Sequence, residues 1–312
     1  MIGSFNINDS SVKKDIFYSV GLNKFQTWQK PNNCTFVQFF ILGGGGGGGA
    51  GQNAGTGTSR RGGGGGGSSS IVTTLFLATT LPDTLYISVG AGGAASTVNN
   101  NGGSGVLSYV TLVPDSAYTA SNVVMQSGSA VAAGGLAGTA GGTGGNGGTV
   151  WSATGSILIE FGMFNYWVGQ TGAQGNNTAA SVPLLLSGIT TGGAAGAGQN
   201  GSTAQNGGNI VGFGNIPTMS GGSAGSSSLA TTEGGIGSGE YKGYTPTNIN
   251  YSTNQLVFMG GAGGGSSNNG SGGAGGNAAF GCGGGGGGAG VTGSVNGLGG
   301  RGGDGIVIIT SW

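Results

Sequence analysis

The sequence predicts an all-β, partly irregular fold, in which short β-strands adjoin a layered bundle of extended polyglycine II-type helices, with almost no α-helix. Three observations lead to this prediction. Glycine makes up 82 of the 312 residues and forms uninterrupted blocks at 43–49, 62–67 and 283–288. Short β-branched and aromatic runs separate the blocks. No helical period of apolar residues extends over a useful length.

The glycine blocks have to be weighed first against disorder, because glycine-rich chains are usually flexible linkers. Disordered chains combine few apolar residues with high charge, whereas this chain is 36% apolar and 5% charged. Ordering a glycine costs about 0.5–1 kcal/mol more than ordering an alanine, so an ordered body needs a compensating interaction. Extended helices with three residues per turn point their N–H and C=O groups outward. Without Cβ atoms, such helices can hydrogen-bond to neighbours on every side, so we expect the all-glycine blocks in the interior of the bundle.

The runs between the blocks are predicted as strands, because they are rich in β-branched and aromatic residues and are bounded by turn residues. They cover residues 36–42, 71–77, 84–89, 106–113, 157–161, 256–259 and 306–310. The glycine segments centre near 43–51, 62–67, 90–93, 134–148, 192–201, 221–225, 260–276, 281–290 and 297–305. At about 3.1 Å per residue, segments of similar length can stack side by side as one body.

The chain is predicted to have two parts. Residues 1–33 hold six of the sixteen charges and two glycines, and are interpreted as an N-terminal docking or lead-in segment. Residues 34–312 are interpreted as a glycine-rich domain. Three longer inserts, 106–133, 149–191 and 226–259, are expected to project from the bundle or to cap its ends.

Composition argues against several classes of function. Eight basic and eight acidic residues give a net charge of zero, which argues against nucleic-acid binding and against a polybasic membrane-surface patch. Histidine is absent, which removes the commonest general base and most zinc chemistry. The carboxylates show no catalytic spacing. We therefore expect no enzyme, no cofactor and no metal. An enzyme such as a depolymerase is the least favoured class.

The N-terminus has no basic start and no apolar core of a signal peptide, and the longest apolar run is too short to span a bilayer. We therefore expect cytoplasmic synthesis and no membrane insertion. Cys34 and Cys282 could form one disulfide. Two buried, reduced thiols are the favoured interpretation, because free cysteine is a well-buried residue type.

One short motif resembles a calcium site. Residues 299–307 fit the nonapeptide of calcium-binding β-rolls, but the motif occurs once, and the ion needs stacked copies to supply its oxygen ligands. We expect Arg301 and Asp304 to form a charge pair in a turn instead.

Two aromatic clusters are candidate ligand-binding sites. The first contains Trp151, Tyr166 and Trp167, and the second contains Tyr241, Tyr244 and Tyr251. Exposed rings with polar neighbours suit recognition of a sugar or a protein, because rigid rings give a large contact area. The other interpretation is that the rings form the small apolar core. The core interpretation is favoured for the first cluster, and both stay open for the second.

Three stretches carry a resemblance to a known family. An aromatic–proline turn leads into a strand and polyglycine over 27–49, a strand runs into Val-Gly-Ala-Gly-Gly over 85–93, and a glycine-rich segment precedes an aliphatic strand over 299–310. This pattern resembles the glycine-rich domain of many phage and large-virus virion proteins. It is also similar in style to distal tail-fibre adhesins of some tailed phages, whose polyglycine-helix sandwich displays receptor-binding loops. The resemblance covers roughly residues 25–112 and 260–312.

The resemblance implies a structural protein at the virion surface, assembled in the host cytoplasm. It would act as an adhesin or fibre tip that binds a host-surface glycan or protein. Residues 1–33 would contact other virion proteins, and a homo-oligomer is left open. The alternative is a capsid-associated minor or decoration protein with a purely assembly role.

Overall fold

The computed structural model describes residues 12–117, 119, 121–128, 131–151, 158–177, 182–183, 189–212, 216–225, 237, 242–244 and 256–312. Within these ranges the chain contains strands and short 3-10 turns, and no helix reaches seven residues. The predicted all-β class is confirmed.

The strands are short, and their bounds follow in chain order. They are β1 (Lys13–Tyr18), β2 (Gln26–Gln29), β3 (Phe36–Leu42), β4 (Asn53–Ala54), β5 (Ile71–Leu77), β6 (Thr84–Ser88), β7 (Tyr109–Thr111), β8 (Val123–Gln126), β9 (Gly162–Trp167), β10 (Val182–Pro183), β11 (Gln199–Asn200), β12 (Thr203–Ala204), β13 (Ile210–Val211), β14 (Lys242–Tyr244), β15 (Leu256–Phe258), β16 (Gly290–Val291) and β17 (Ile306–Ser311). The 3-10 turns are Ala78–Thr80, Gly138–Ala140 and Ile159–Phe161.

Two antiparallel sheets contain the apolar core. Their strand orders are β1-β17-β3-β5-β9 and β2-β6-β7-β8. Alternation along β3 buries Val37, Phe39 and Ile41 completely, because successive side chains of a strand point to opposite faces. These side chains share one core with residues of the second sheet, and Trp28 of β2 meets Phe39 edge-on at 6.0 Å between ring centroids.

The all-glycine block at 43–49 lies in a hydrogen-bonded lattice of extended segments. Successive N–H groups along this block point to three different neighbours, and the same neighbour recurs every third residue. Donors and acceptors are 2.8–2.9 Å apart for Gly44 to Val106, Gly45 to Gly303, Gly46 to Gly67, Gly47 to Gly103, Gly48 to Gly300 and Gly49 to Gly64. Three further neighbours, around 93, 135 and 284–287, donate to carbonyl oxygens of the same block. This is the pattern expected of a three-residue-per-turn helix with six neighbours.

The other two long blocks have equivalent surroundings. Residues 62–67 and 283–288 each donate to three segments and accept from three others. All three blocks are buried along their whole length. The prediction that the all-glycine blocks form the interior is confirmed.

Sterics explain why these positions are glycine. A Cβ atom on Gly44, Gly45 or Gly46 would overlap a backbone carbonyl oxygen of a neighbouring segment, and the same holds along the block. None of these glycines has a positive φ, so close approach, and not an unusual backbone conformation, excludes other residues. The Cα–H groups point at carbonyl oxygens, as in weak Cα–H···O hydrogen bonds.

Segments at the outside of the lattice carry side chains on one side only. In the neighbouring segments 142–148 and 169–176, every third residue is exposed, and the residues between are glycine or alanine in most cases. The exposed positions include Thr143, Asn146, Thr171 and Gln174. A three-residue period therefore replaces the two-residue period of a strand as the pattern that separates interior from surface.

Serine hydroxyls occupy the junction between lattice and sheets. Ser70 Oγ lies 2.7 Å from the Ser127 carbonyl oxygen and 2.9 Å from that of Thr149, and its one hydrogen is shared between them. Ser108 Oγ donates to the Leu42 carbonyl oxygen at 2.8 Å. Both serines are fully buried. A lattice segment forms hydrogen bonds to neighbours in three directions, whereas a strand forms them in two. Where a segment continues as a strand, some buried backbone groups therefore need other partners. The hydroxyls supply them.

The described part of the predicted lead-in belongs to the body of the fold. β1 pairs with β17 along its full length, and β2 pairs with β6. Trp28 is among the largest fully buried side chains. Residues 12–33 are thus structurally continuous with the glycine-rich domain, and a docking role for residues 1–33 stays a prediction.

The predicted inserts and segments also differ in detail from the structure. β7 and β8 place the described part of insert 106–133 inside the second sheet, and β9 places part of 149–191 at the edge of the first. The glycine segment near 134–148 is two antiparallel lattice segments, joined by a 3-10 turn at which Gly141 and Gly142 have positive φ. Insert 226–259 lies mostly outside the described residues.

The two cysteines are free, as the favoured interpretation had it, but only Cys282 is buried as that interpretation expected. Cys34 is half-buried, and its Sγ lies 3.2 Å from the carbonyl oxygen of Pro31. Cys282 is fully buried in a second apolar cluster, between the lattice and the first sheet. Burial raises the pKa of the Cys282 thiol to about 12, although the backbone near Thr191 partly opposes this. The thiol is therefore protonated in the neutral range.

We expect the lattice to tolerate alanine only where no neighbouring backbone is close. Gly48→Ala should lower the free energy of unfolding by about 1–3 kcal/mol or more, the range usual for overpacking. The reason is that the Cβ atom would overlap the Gly285 carbonyl oxygen. Gly55→Ala is the matched control, since nothing lies within 4 Å of that position; it should be neutral or stabilise by up to ~1 kcal/mol. Chemical denaturation measures both, and equal effects would contradict the steric account.

Thiol labelling should separate the two cysteines. At neutral pH a disulfide reagent should modify Cys34 in the native protein and leave Cys282 unmodified until denaturant is added, because Cys282 is buried and protonated. The variant Cys34→Ser should show no native labelling, and Cys282→Ala should label as the parent does. Rapid native labelling of the Cys34→Ser variant would show that Cys282 is accessible.

Candidate recognition surface

The lattice has two different ends. At one end, called here the sheet end, segments 43–51, 62–69, 100–107 and 297–305 connect directly to β3, β5, β7 and β17. At the opposite end, called the loop end, the segments are joined by turns at 52–59, 97–99, 138–141, 200–203, 268–271 and 291–296. Segments that follow one another in the chain run in opposite directions, which brings these turns together.

Turn conformations at the loop end require left-handed residues. Asn99, Gly57, Gly201 and Gly293 have positive φ, which glycine and asparagine adopt at the lowest cost. Open space surrounds the Cα hydrogens of Gly55, Gly201 and Gly293. The exposed side chains of these turns are mainly Thr56, Thr58, Ser59, Thr97, Asn99, Asn100, Thr139, Asn200, Ser202, Thr203 and Thr292. The surface is therefore rich in hydroxyl and amide groups.

Asparagine side chains link the turns to one another. Asn53 Nδ2 donates to the Ser294 carbonyl oxygen at 2.8 Å, and Asn296 Nδ2 donates to Asn99 Oδ1 at 3.1 Å. Asn268 Oδ1 accepts from the Gly57 N–H at 2.9 Å. These bonds join turns that are far apart in sequence, so the turns form one connected surface.

A buried arginine lies beneath this surface. Arg60 is fully buried, and its guanidinium donates to the carbonyl oxygens of Ala54 (2.9 Å) and Gly290, and to both oxygens of Asn268 (3.3 Å). The backbone of Arg60 also exchanges hydrogen bonds with Gln199 at 2.8 and 3.0 Å. The Arg60 side chain thus contacts the turns at 52–59 and 268–271 and the residue before the turn at 291–296. The Arg60 backbone contacts the residue before the turn at 200–203.

Carbonyl and amide dipoles surround the charge of the Arg60 guanidinium, and no carboxylate of the described residues pairs with it. Burial lowers the pKa of the Arg60 guanidinium below its ordinary value, but a guanidinium stays protonated in proteins. Carbonyl oxygens stabilise the charge in place of an ion pair. Arg60 Nε, Gln199 Oε1 and Asn53 Oδ1 are buried without a hydrogen-bond partner in the described part of the chain. Sequence reasoning missed Arg60; its signal was a charged residue directly beside an interior glycine block.

The predicted aromatic site residues lie elsewhere. Trp151 is buried and meets Phe164 edge-on at 6.0 Å between ring centroids. Tyr166 is half-buried, packs against the same core and stacks on Phe164. Trp167 at the end of β9 is 40% exposed. Trp151 therefore belongs to the sandwich core, and Trp167 presents the largest accessible surface of the three.

The second aromatic cluster can be placed only in part. Tyr244 ends β14, and its backbone pairs with Leu256 of β15 near the sheet end. Tyr241 and Tyr251 lie outside the described residues. A ligand-binding role for Trp151, Tyr166, Trp167, Tyr241, Tyr244 and Tyr251 stays a prediction.

Other chemistry can be stated for the described ranges. They contain no group of three His, Cys, Asp or Glu residues that could hold a metal ion. None of their helices has the length and hydropathy to cross a membrane. Arg301 and Asp304 form the expected charge pair, at 2.5 Å. They lie in a lattice segment that leads into β17, where a turn was expected.

Comparison with known proteins identifies one part of the chain. Residues 20–130 match the model of a family described as a glycine-rich domain. These residues include all four strands of the second sheet and two of the interior lattice blocks. The chain therefore contains a glycine-rich domain. No curated protein matches the chain.

Arg60 should be needed for the stability of the loop end. Arg60→Lys keeps the charge but removes the planar donor fork, so buried carbonyl oxygens lose partners at a cost of about 1–3 kcal/mol each. Arg61→Lys is the matched control, because Arg61 is exposed; we expect a change within about 0.5 kcal/mol. Denaturation measures the stability, and hydrogen exchange should show faster opening of the turns at 52–59 and 268–271. Equal stability of the two variants would contradict the clamping role.

Proposed function

We propose that this chain is a structural protein of a virion surface, in the manner of a phage tail-fibre tip, and that its loop end binds a host-cell receptor. The supporting observation is the convergence of many turns on one end of a backbone-bonded lattice. The resemblance to virion glycine-rich domains and the family match over residues 20–130 agree with a structural role.

The physical argument concerns the entropy of binding. Ordering loops on association opposes binding, and preorganised loops avoid much of that cost. At the loop end the Arg60 guanidinium and the asparagine side chains already hold the turns. The exposed groups are mostly Asn, Ser, Thr and Gly, which supply adaptable hydrogen bonds in recognition loops. The receptor would be a glycan or a protein at the host surface.

The alternative is a capsid-associated protein whose role is assembly. Exposed apolar side chains toward the sheet end favour it, because such side chains often mark contacts with other proteins. Met163 is 71% exposed, Val168 67% and Leu22 64%. Contacts of residues 1–33 with other virion proteins, or contacts between copies of the chain, would use this end. An adhesin also needs an attachment to its particle, so this surface is compatible with both functions.

The test is competition for adsorption. Saturating purified chain should bind host cells and reduce virus adsorption, whereas the double variant Thr56→Lys/Ser202→Lys at the loop end should lose both effects. The matched control Asn146→Lys/Gln174→Lys makes the same charge change on the lattice wall and should compete as the parent does. Absence of competition by the parent would sink the adhesin proposal.

The same variants discriminate between the two functions. Leu22→Lys/Met163→Lys changes the exposed apolar side chains toward the sheet end. Two results together would replace the adhesin role with the assembly role. The Leu22→Lys/Met163→Lys variant would fail to enter particles, and particles that carry the loop-end variant would adsorb normally. Particles that carry the loop-end variant but fail to adsorb would support the adhesin role.

A further inference from the structure

A depression in the lattice wall lies apart from the loop end. It has a volume of about 170 Å³ and is lined by Asn277, Phe280, Arg301, Asp304 and the backbone of Gly302 and Gly303. Pockets that enclose drug-sized ligands measure roughly 300–1,000 Å³. This depression therefore suits one small ring on an open surface.

One aromatic ring, that of Phe280, lines the depression, and further rings pack against it. The Phe280 and Tyr18 rings lie 5.7 Å apart between centroids, and Tyr18 is 50% exposed. Phe258 packs edge-on against Phe280 at 5.7 Å from within the second apolar cluster. The ring of Phe280 is thus fixed by its neighbours, which lowers the entropy that a ligand must offset on contact.

Polar groups with remaining hydrogen-bonding capacity stand beside the rings. Asp304 Oδ1 accepts from Arg301 Nη2 at 2.5 Å and from the Gly92 N–H at 2.7 Å, which fixes the carboxylate. Asn277 Oδ1 accepts from the Arg301 N–H at 2.9 Å. A guanidinium has five N–H donors, and a carboxylate about four acceptor sites. Arg301 Nη1, Asp304 Oδ2 and Asn277 Nδ2 have no further partner in the described part of the chain.

The balance of charge selects the ligand class. The Asp304 carboxylate neutralises the Arg301 guanidinium, so an anion gains little here. A neutral vicinal diol fits both members of the pair, because one hydroxyl can donate to the carboxylate while its neighbour accepts from the guanidinium. The C–H face of a sugar ring can then pack on Phe280. We propose that this depression binds one pyranose residue of a neutral glycan.

The site is separate from the loop end and does not depend on the proposed adhesin role.

The test uses saturation-transfer difference NMR on the full chain with the methyl pyranosides of glucose, mannose and galactose. At least one should receive saturation. Arg301→Lys and Asp304→Asn should each weaken binding about tenfold or more, the loss expected for one charge-assisted hydrogen bond. Asp304→Asn keeps the oxygen that accepts from Gly92, so the fold should persist. Arg61→Lys is the matched control and should bind as the parent does.

Three outcomes would overturn the proposal. The first is no saturation transfer to any of the three pyranosides. The second is unchanged binding by Arg301→Lys and Asp304→Asn, which would put the sugar elsewhere. The third is stronger binding of N-acetylneuraminic acid than of the neutral sugars, which would make the ligand class anionic. Adsorption competition by the Arg301→Lys variant separates the pyranose site from the adhesin role. If the loop end binds the receptor, this variant should still reduce virus adsorption even though it no longer binds the sugar.

Discussion

The whole structure depends on the close approach of backbone to backbone. From Gly44 to Gly49 each N–H donates to one neighbouring segment, and each Cα hydrogen points at a carbonyl oxygen of another. A single Cβ atom would push the two neighbouring segments apart and remove the hydrogen bonds on that side of the block. Glycine is therefore required by contact with neighbours along whole blocks, and buried backbone groups find partners without any side chain. The interior hydrogen bonds also compensate for the entropy lost when glycine is ordered.

Lattice and sheet are continuous, and apolar clusters pack both in the sheets and beside the lattice. The rise per residue is about 3.1 Å in the extended helix and about 3.3 Å in a strand, so a segment passes into a strand with little change of length. Segments 297–303 and 62–67 both flank 43–51 in the lattice. Their continuations β17 and β5 flank β3 in the sheet. Neighbours in the lattice thus stay neighbours in the sheet, and the serine hydroxyls satisfy the groups left over where three bonding directions become two.

Sequence reasoning predicted what depends on local composition. The all-glycine blocks implied an interior without Cβ atoms, which was confirmed. The β-branched runs implied strands, and six of the seven predicted runs contain one. The strand predicted at 157–161 was wrong, because residues 159–161 form a 3-10 turn and β9 begins only at Gly162. The pairing of β1 with β17 joins opposite ends of the chain, and no local pattern indicates such a partner. The turn at Gly141 and Gly142 was hidden inside a uniform glycine segment, because positive φ leaves no mark on a glycine sequence. Arg60 was missed because an arginine in a turn region is usually solvated, whereas here backbone carbonyl oxygens surround its guanidinium. For the first aromatic cluster, the favoured core interpretation describes Trp151, which lies in the two-sheet core, whereas Trp167 is 40% exposed.

The architecture separates stability from recognition. Stability arises from backbone hydrogen bonds in the interior, to which exposed side chains of the wall and turns contribute little. Turn positions such as Gly55, Gly201 and Gly293 face open space, so their neighbours can change without disturbing the lattice. Side chains that recognise a partner must therefore project from the surface, because an interior made of glycine carries none. The proposed recognition by the loop end requires only that the lattice beneath the turns stay rigid, and the interior hydrogen bonds meet that requirement.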